Sequence, residues 1–402
     1  MRAPEIVTLL ALLAALARAD DWPQFRGPAG TGVSAETAEP PVEWGPGKNI
    51  KWRTALPGSG SSSPIVSRGR VFITAADEKG RKRSLLCLDR KTGAILWTKS
   101  VACPDEPTQQ DNPYCGSSPC ADGERVVVWH SSAGLHCYDF EGKPLWSRDL
   151  GRFDHMWGYG SSPIVHGDRV LLNCGPGDRS FLVSLDKRSG EVAWKTEEPG
   201  GDSKKWVGSW GTPLVVKVEG KDQLLLGMPG AVKAYDPATG KVLWSCEGLS
   251  KLVYADVVVG NGAGIATGED EGGDSIGFKL GGRRLWARPR GLEVSTGLIL
   301  DGHLWTIDNG GIVRCTEVET GTEVLKERSP VGPAWGSMVY AARRIYVTGR
   351  KGDTLVFAPD PKKFAPLAVN PLGEPSNSTP AISDGEIFLR TMKSVSCVGE
   401  KR

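Results

Sequence analysis

The chain has 402 residues and a net charge of +2, with 49 Lys and Arg against 47 Asp and Glu. That balance offers no basic stripe to neutralise a phosphate backbone, so nucleic-acid binding is excluded as a reading. The 52 Gly, 28 Pro and 14 Trp describe many short strands joined by tight turns, not a helical protein.

Residues 1–19 read as a signal peptide. Arg2 supplies the positive start, Val7 to Leu16 an apolar stretch of signal length, and Ala17-Arg18-Ala19 a small-x-small cleavage pattern. The apolar run is too short for a bilayer span, which takes about 20 residues. No later segment replaces it, so export to the periplasm or the extracellular space is expected, without stable membrane insertion. The first cysteine is Cys87, so none follows the cleavage site to carry a lipid. Residues 20–48 then read as an N-terminal extension and 49–402 as one monomeric all-β domain.

A repeat dominates that domain. Leu86-Cys87-Leu88-Asp89 runs through Thr92-Gly93 to Trp97, and Ala234-Tyr235-Asp236 through Thr239-Gly240 to Trp244. Two further copies run from Val183-Ser184-Leu185-Asp186 to Trp194 and from His136-Cys137-Tyr138-Asp139 to Trp146, and weaker ones end at Trp286 and Leu325. Copies recur every ~40–50 residues, the length of a four-stranded propeller blade. Within each copy an alternating strand meets Asp, which starts a turn. Gly completes the turn by taking positive φ, and a second strand ends in a large aromatic. Trp52, Trp97, Trp146, Trp194, Trp244 and Trp286 are the expected inter-blade docking residues.

A second landmark precedes each copy: Ser62-Ser63-Pro64, Ser117-Ser118-Pro119, Ser161-Ser162-Pro163, Gly211-Thr212-Pro213 and Ser378-Thr379-Pro380. Degenerate forms surround Asp256, Thr296 and Ser337. These mark innermost strands, where small residues suit the crowded axis and proline is tolerated at the strand's first position. Eight such segments give an eight-bladed β-propeller. After Pro380 only Glu386 to Arg390 and Ser394 to Val398 remain as strand candidates, so Ile50 to Thr54 is expected to close the last blade.

Nine cysteines leave at least one unpaired. Cys103 and Cys115 flank the polar insertion Pro104 to Tyr114 and are the candidate disulfide, with Cys120 competing and buried reduced thiols as the other reading. Cys87, Cys137, Cys315 and Cys397 share one repeat position and read as packing residues. The acidic turn Glu269 to Asp274 lacks the spacing of a calcium loop.

Ala234 to Trp244 resembles the tryptophan-docking motif of quinoprotein alcohol dehydrogenase propellers, and of the outer-membrane assembly lipoprotein that shares the repeat. Asp21-Trp22-Pro23-Gln24-Phe25-Arg26-Gly27-Pro28 resembles the start of many secreted bacterial propellers of this class. The resemblance implies the fold. For the enzymes it also implies a quinone (PQQ) over the ring axis, on a tryptophan floor beneath an adjacent-cysteine disulfide. A calcium ion on acidic and amide ligands and an aspartate base complete that site. This chain has no Cys-Cys pair, is shorter than those enzymes, and lacks an acidic trio matching their calcium ligands, so neither PQQ nor calcium is expected.

Propellers meet ligands at the mouth where the inner strands begin. Trp157, Tyr159, Trp206, Trp210, Tyr254, Asp256, Trp335 and Asn377 precede those strands and form the candidate funnel site. His155 lies near Ser161 and Ser162, but serine recurs there in several blades and reads as structural. The expected function is a non-catalytic binding or scaffold module for an envelope protein or peptide, or for a small planar ligand. The alternatives are a PQQ-dependent oxidoreductase and an outer-membrane assembly scaffold.

Overall fold

A computed structural model describes residues 21–35, 38–198, 207–268, 274–289 and 294–400. The signal-peptide reading, Trp206, and the acidic turn apart from Asp274 lie outside them. Eight four-stranded antiparallel sheets stand around one axis. The first blade is Ile65–Ser67, Arg70–Ala76, Lys82–Asp89 and Ile95–Ala102. The inner strands of the next six are Cys120–Ala121, Ile164–His166, Leu214–Val218, Val258–Gly260, Leu298–Leu300 and Val339–Ala341. The eighth blade is Ala381–Ser383, Glu386–Arg390 and Ser394–Val398, and Ile50–Ala55 supplies its outer strand, with Trp52 opposite Cys397. The expected ring closure is therefore present.

Every outer strand carries a bulge at the same place, next to the docking position. The residue opposite the aromatic is small in each Trp-bearing blade: Cys397, Cys87, Cys137, Ser184, Ala234 and Gly277. That leaves room for the indole to lie across the strand pair. Trp52, Trp97, Trp146, Trp194 and Trp286 each donate their indole N–H to a carbonyl in the following blade's turn, at 2.8–3.0 Å. Trp244 instead donates to Gln223 Oε1 of its own blade at 2.8 Å, although its ring rests on Gly282 of the next. Trp52, Trp146 and Trp286 are buried, whereas Trp97, Trp194 and Trp244 are half-buried at the rim.

The turn glycine is thus fixed twice, by backbone conformation and by the preceding blade's indole. At Gly240 φ is +71° and an added Cβ would meet the Trp194 ring at 2.4 Å. At Gly230 φ is +89° with open space around the position. Gly240→Ala is therefore expected to lose ~1–3 kcal/mol more than Gly230→Ala, the cost of overpacking beyond shared backbone strain. Chemical denaturation of the two variants measures the difference.

Blade seven has no aromatic at the docking position; Ala368 stands there, opposite Val356. The N-terminal extension supplies one from outside the repeat. Trp44 is 3% exposed in the same apolar cluster against which Ala368 packs. Asn370 fastens the segment by accepting from Trp44 N–H at 2.9 Å and donating to Val42 O at 2.8 Å.

The rest of the extension crosses the face opposite the funnel. Trp22 pairs with Val66 of blade one, and Pro23 O accepts from Ala121 of blade two. Ser34 and Tyr340 bond on blade seven. Between these anchors Arg26 sits beneath the axis, 2% exposed. Its guanidinium donates to Thr31 O and Gly297 O at 2.7 Å, Thr296 O at 3.1 Å and Met338 O at 3.3 Å. The extension is therefore a plug integral to the propeller, not an appendage to it.

All nine cysteines are free and buried. The expected Cys103–Cys115 pairing is not formed in this structure, and burial pushes the Cys103 thiol up to about 12. The insertion is held instead by a buried ion pair, Arg83 to Glu106, whose carboxylate also accepts from Ser131 Oγ and Ser132 N–H.

Candidate functional site

Around the axis, the residue that opens each inner strand points its side-chain oxygen at the preceding blade's backbone. Ser63 N–H donates to Ser118, Ser118 to Ser162, Ser162 to Thr212, Thr212 to Asp256, Asp256 to Thr296, Thr296 to Ser337, Ser337 to Thr379, and Thr379 back to Ser63. The eight bonds are 2.6–3.2 Å long and form a closed circle. Seven members are hydroxyls and one is a carboxylate. The Ser-Pro landmark thus has a chemical purpose beyond small size: it needs an oxygen.

Above this circle lies a cavity of about 440 Å³, closed from below by Phe25 of the plug. One wall is aromatic. Trp157 and Trp210 ring centroids are 6.0 Å apart, Trp210 and Tyr254 5.0 Å, and Trp157 and Tyr254 6.1 Å. His155 is fully buried behind them, edge-on to Trp210 at 5.0 Å, with Nδ1 accepting from Trp157 N–H at 3.2 Å. That placement makes it a packing residue of the wall. On the other side Trp335 donates to Asn309 Oδ1 at 2.5 Å, and the Arg350 guanidinium lies 4.7 Å over its ring. The insertion reaches across the mouth: Asp111 pairs with Arg350 and its carbonyl accepts from Asn377 Nδ2 at 2.7 Å.

Of the sequence-predicted residues, Trp157, Trp210, Tyr254, Asp256, Trp335 and Asn377 line this cavity. Tyr159 does not. The loop turns at Gly158, where φ is +68°, and Tyr159 is carried into the core against Trp129 and Phe153. Sequence reasoning missed Phe25, Asp111, Asn112, Asn309 and Arg350. Asn309 and Arg350 sit in turns between second and third strands, which return to the same mouth as the inner-strand starts.

Asp256 is the chemically distinct member of the circle. Burial pushes its carboxyl up to about 6, against the pull of the Arg26 charge and the Thr212 N–H. The folded value lies above the unfolded value of 3.8, so folding favours the protonated form. Stability from this group is therefore full below the unfolded value and is lost as pH rises through the folded one. Asp256→Asn keeps an oxygen for Thr212 but does not titrate. The stability difference between the native chain and this variant should change by about 3 kcal/mol between acid and neutral pH, in the direction of a weaker native chain at neutral pH. Urea unfolding at several pH values reads this directly.

The cofactor pair implied by the resemblance can be tested on these residues. Among the described residues no group of three His, Cys, Asp or Glu is placed to hold a metal. The funnel's two carboxylates are engaged, Asp111 with Arg350 and Asp256 with the Thr212 N–H. A calcium ion held on an acidic set does not fit this site, and the aromatic wall alone suits a planar ring.

Comparison with known proteins agrees with the architecture. Residues 41–101 and 81–327 match the family model described as outer membrane protein assembly factor BamB. The chain belongs to this BamB family. A relative outside that name is the polyvinylalcohol dehydrogenase of Sphingopyxis sp. (strain 113P3), 24% identical over 279 residues, which are 56% of this chain and 40% of the relative. The chain thus spans less than half the length of that curated relative. Among solved structures, a europium-containing methanol dehydrogenase superposes with a TM-score of 0.70 at 12% identity, covering 92% of this chain and 89% of the other. BamB from Moraxella catarrhalis superposes at 0.61 with 15% identity, covering 88% and 98%. At such identities the likeness shows the shared propeller fold. BamB family membership therefore rests on the sequence model, and the site must be read from its own residues.

Proposed function

We propose that this protein is a non-catalytic binding or scaffold propeller of the cell envelope or extracellular space. It acts as an exported monomer and uses the axial funnel as its binding face. One observation carries the reading: the axis is plugged on one face by Phe25 and Arg26 and opens on the other into a cavity whose walls include the half-buried aromatics Trp157, Tyr254 and Trp335. Such a surface is where interface affinity concentrates. Family membership supports an assembly-type partner, an envelope protein or peptide. The test is a capture experiment from envelope extract, with Trp157, Tyr254 and Trp335 changed together to Ala. Capture should be lost while the strand signal in circular dichroism persists. Trp244→Ala, at the outer rim, should reduce stability and leave capture intact. Equal recovery by the triple variant would rule out the funnel.

A second reading is quinone-dependent oxidation, with PQQ on the aromatic wall and without the calcium that the engaged funnel carboxylates do not fit. It is favoured by Asp256, a carboxyl of raised pKa on the funnel floor beside an aromatic wall. Dye reduction after addition of PQQ would support it, and its absence in the folded chain would remove it.

A further inference from the structure

The charges that line the funnel cancel in place. They are Asp111, Asp256 and Arg350. Asp111 and Arg350 pair with each other, and Asp256 feels the buried Arg26 from below. A ligand of net charge finds no unmatched partner here.

Four amides line the same cavity, and each is anchored at one end by a partner of fixed polarity. Gln109 Oε1 accepts from the Asp111 and Asn112 N–H groups, and Asn309 Oδ1 accepts from the Trp335 indole. Asn112 Nδ2 donates to the Trp157 and Tyr159 carbonyls, and Asn377 Nδ2 to the Asp111 carbonyl. These anchors settle the amide orientations. They leave the amide nitrogens of Gln109 and Asn309 as donors and the amide oxygens of Asn112 and Asn377 as acceptors. Below them are the hydroxyls of the axial circle. Eightfold order sets blade three opposite blade seven, so the Trp157 platform faces Trp335 across the cavity.

An anion would use only the donors of such a wall and an ammonium only the acceptors. A hydroxyl does both at once. We propose that the funnel binds a neutral saccharide, its C–H faces stacked on Trp157 and Trp335 and its hydroxyls paired with the four anchored amides. The proposal rests on the funnel being the binding face. The cavity is within the ~300–1,000 Å³ of small-molecule sites, so a sugar unit or two is the scale of ligand it admits.

Saturation-transfer NMR on the mature chain, with a mixture of maltotriose, cellotriose, xylotriose and chitotriose, is the test. Trigalacturonic acid is the anionic comparison. Transfer to ring C–H protons of at least one neutral sugar is expected, insensitive to added salt and absent from the acid. Trp335→Ala and Asn377→Ser should each weaken that binding by roughly tenfold or more. Asn377→Ser borrows a residue type common at inner-strand starts and keeps the test open should Trp335→Ala fold poorly. No transfer from any neutral sugar at millimolar concentration overturns the proposal, as does binding unchanged in both variants. Running the envelope capture in parallel separates the two claims. Funnel-dependent capture without sugar binding leaves the binding face standing and the saccharide refuted; failure of both removes both.

Discussion

Deletion of residues 20–55 is expected to abolish cooperative folding, seen as loss of the thermal transition in far-ultraviolet circular dichroism. The deletion removes Ile50–Ala55, which pairs along Ser394–Val398 and buries Trp52. Blade eight would then present an unpaired edge beside buried Val395, Cys397 and Val398. Deletion of only residues 20–45 leaves that strand but removes Trp22, Arg26 and Trp44, all buried. The sequence reading treats this stretch as an extension, its loss far milder than that of the longer segment; these buried side chains make the expected loss substantial, though still smaller than for the longer deletion. A long-deletion product that melts like the intact chain would contradict ring closure.

Arg26→Met is expected to cost about 3–5 kcal/mol, the range for breaking a buried charge arrangement by removing one partner. The change strands four carbonyls from the plug and blades six and seven, and leaves Asp256 without its compensating charge. Burial already lowers the Arg26 guanidinium to about 10, so the site tolerates the charge only through these contacts. Asp256→Ser restores the hydroxyl found in the other blades. Combined with Arg26→Met it should destabilise less than the two single changes added together, and a double-mutant cycle by urea unfolding measures that coupling. Strict additivity would mean the two residues do not sense each other.

The fold was legible because blades one to four solve one packing problem with the same kinds of residue: an Asp-to-Gly turn, a small residue opposite, a docked Trp. The funnel aromatics were legible because they precede a marked strand. Tyr159 misled because one left-handed glycine, Gly158, reverses the chain's direction, and nothing in the flanking residues announces it. The hydroxyl circle was half visible. Its residues stood out as small, but their bonds join positions such as Thr212 and Asp256 that meet only once neighbouring blades have packed, and Thr379 and Ser63 only once the ring has closed. Arg350, Asn309 and Arg26 carry no repeat signature; their roles come from turns and from a strap whose partners lie in distant blades. Trp44 is the sharpest case, since it fills a place that the repeat itself left to Ala368.

The circle of side-chain bonds also has a direction, each blade leaning on its successor until the eighth leans on the first. A linear array of repeats has end units held by a single neighbour and can fray from there. A loop of donors has no such end unit. Loosening one inner strand withdraws an acceptor from the blade before it and a donor from the blade after it, so local opening should spread around the axis, not stop at a boundary. Amide exchange in the inner strands should accordingly proceed at one common, global rate in all eight blades, with no subset of blades opening first.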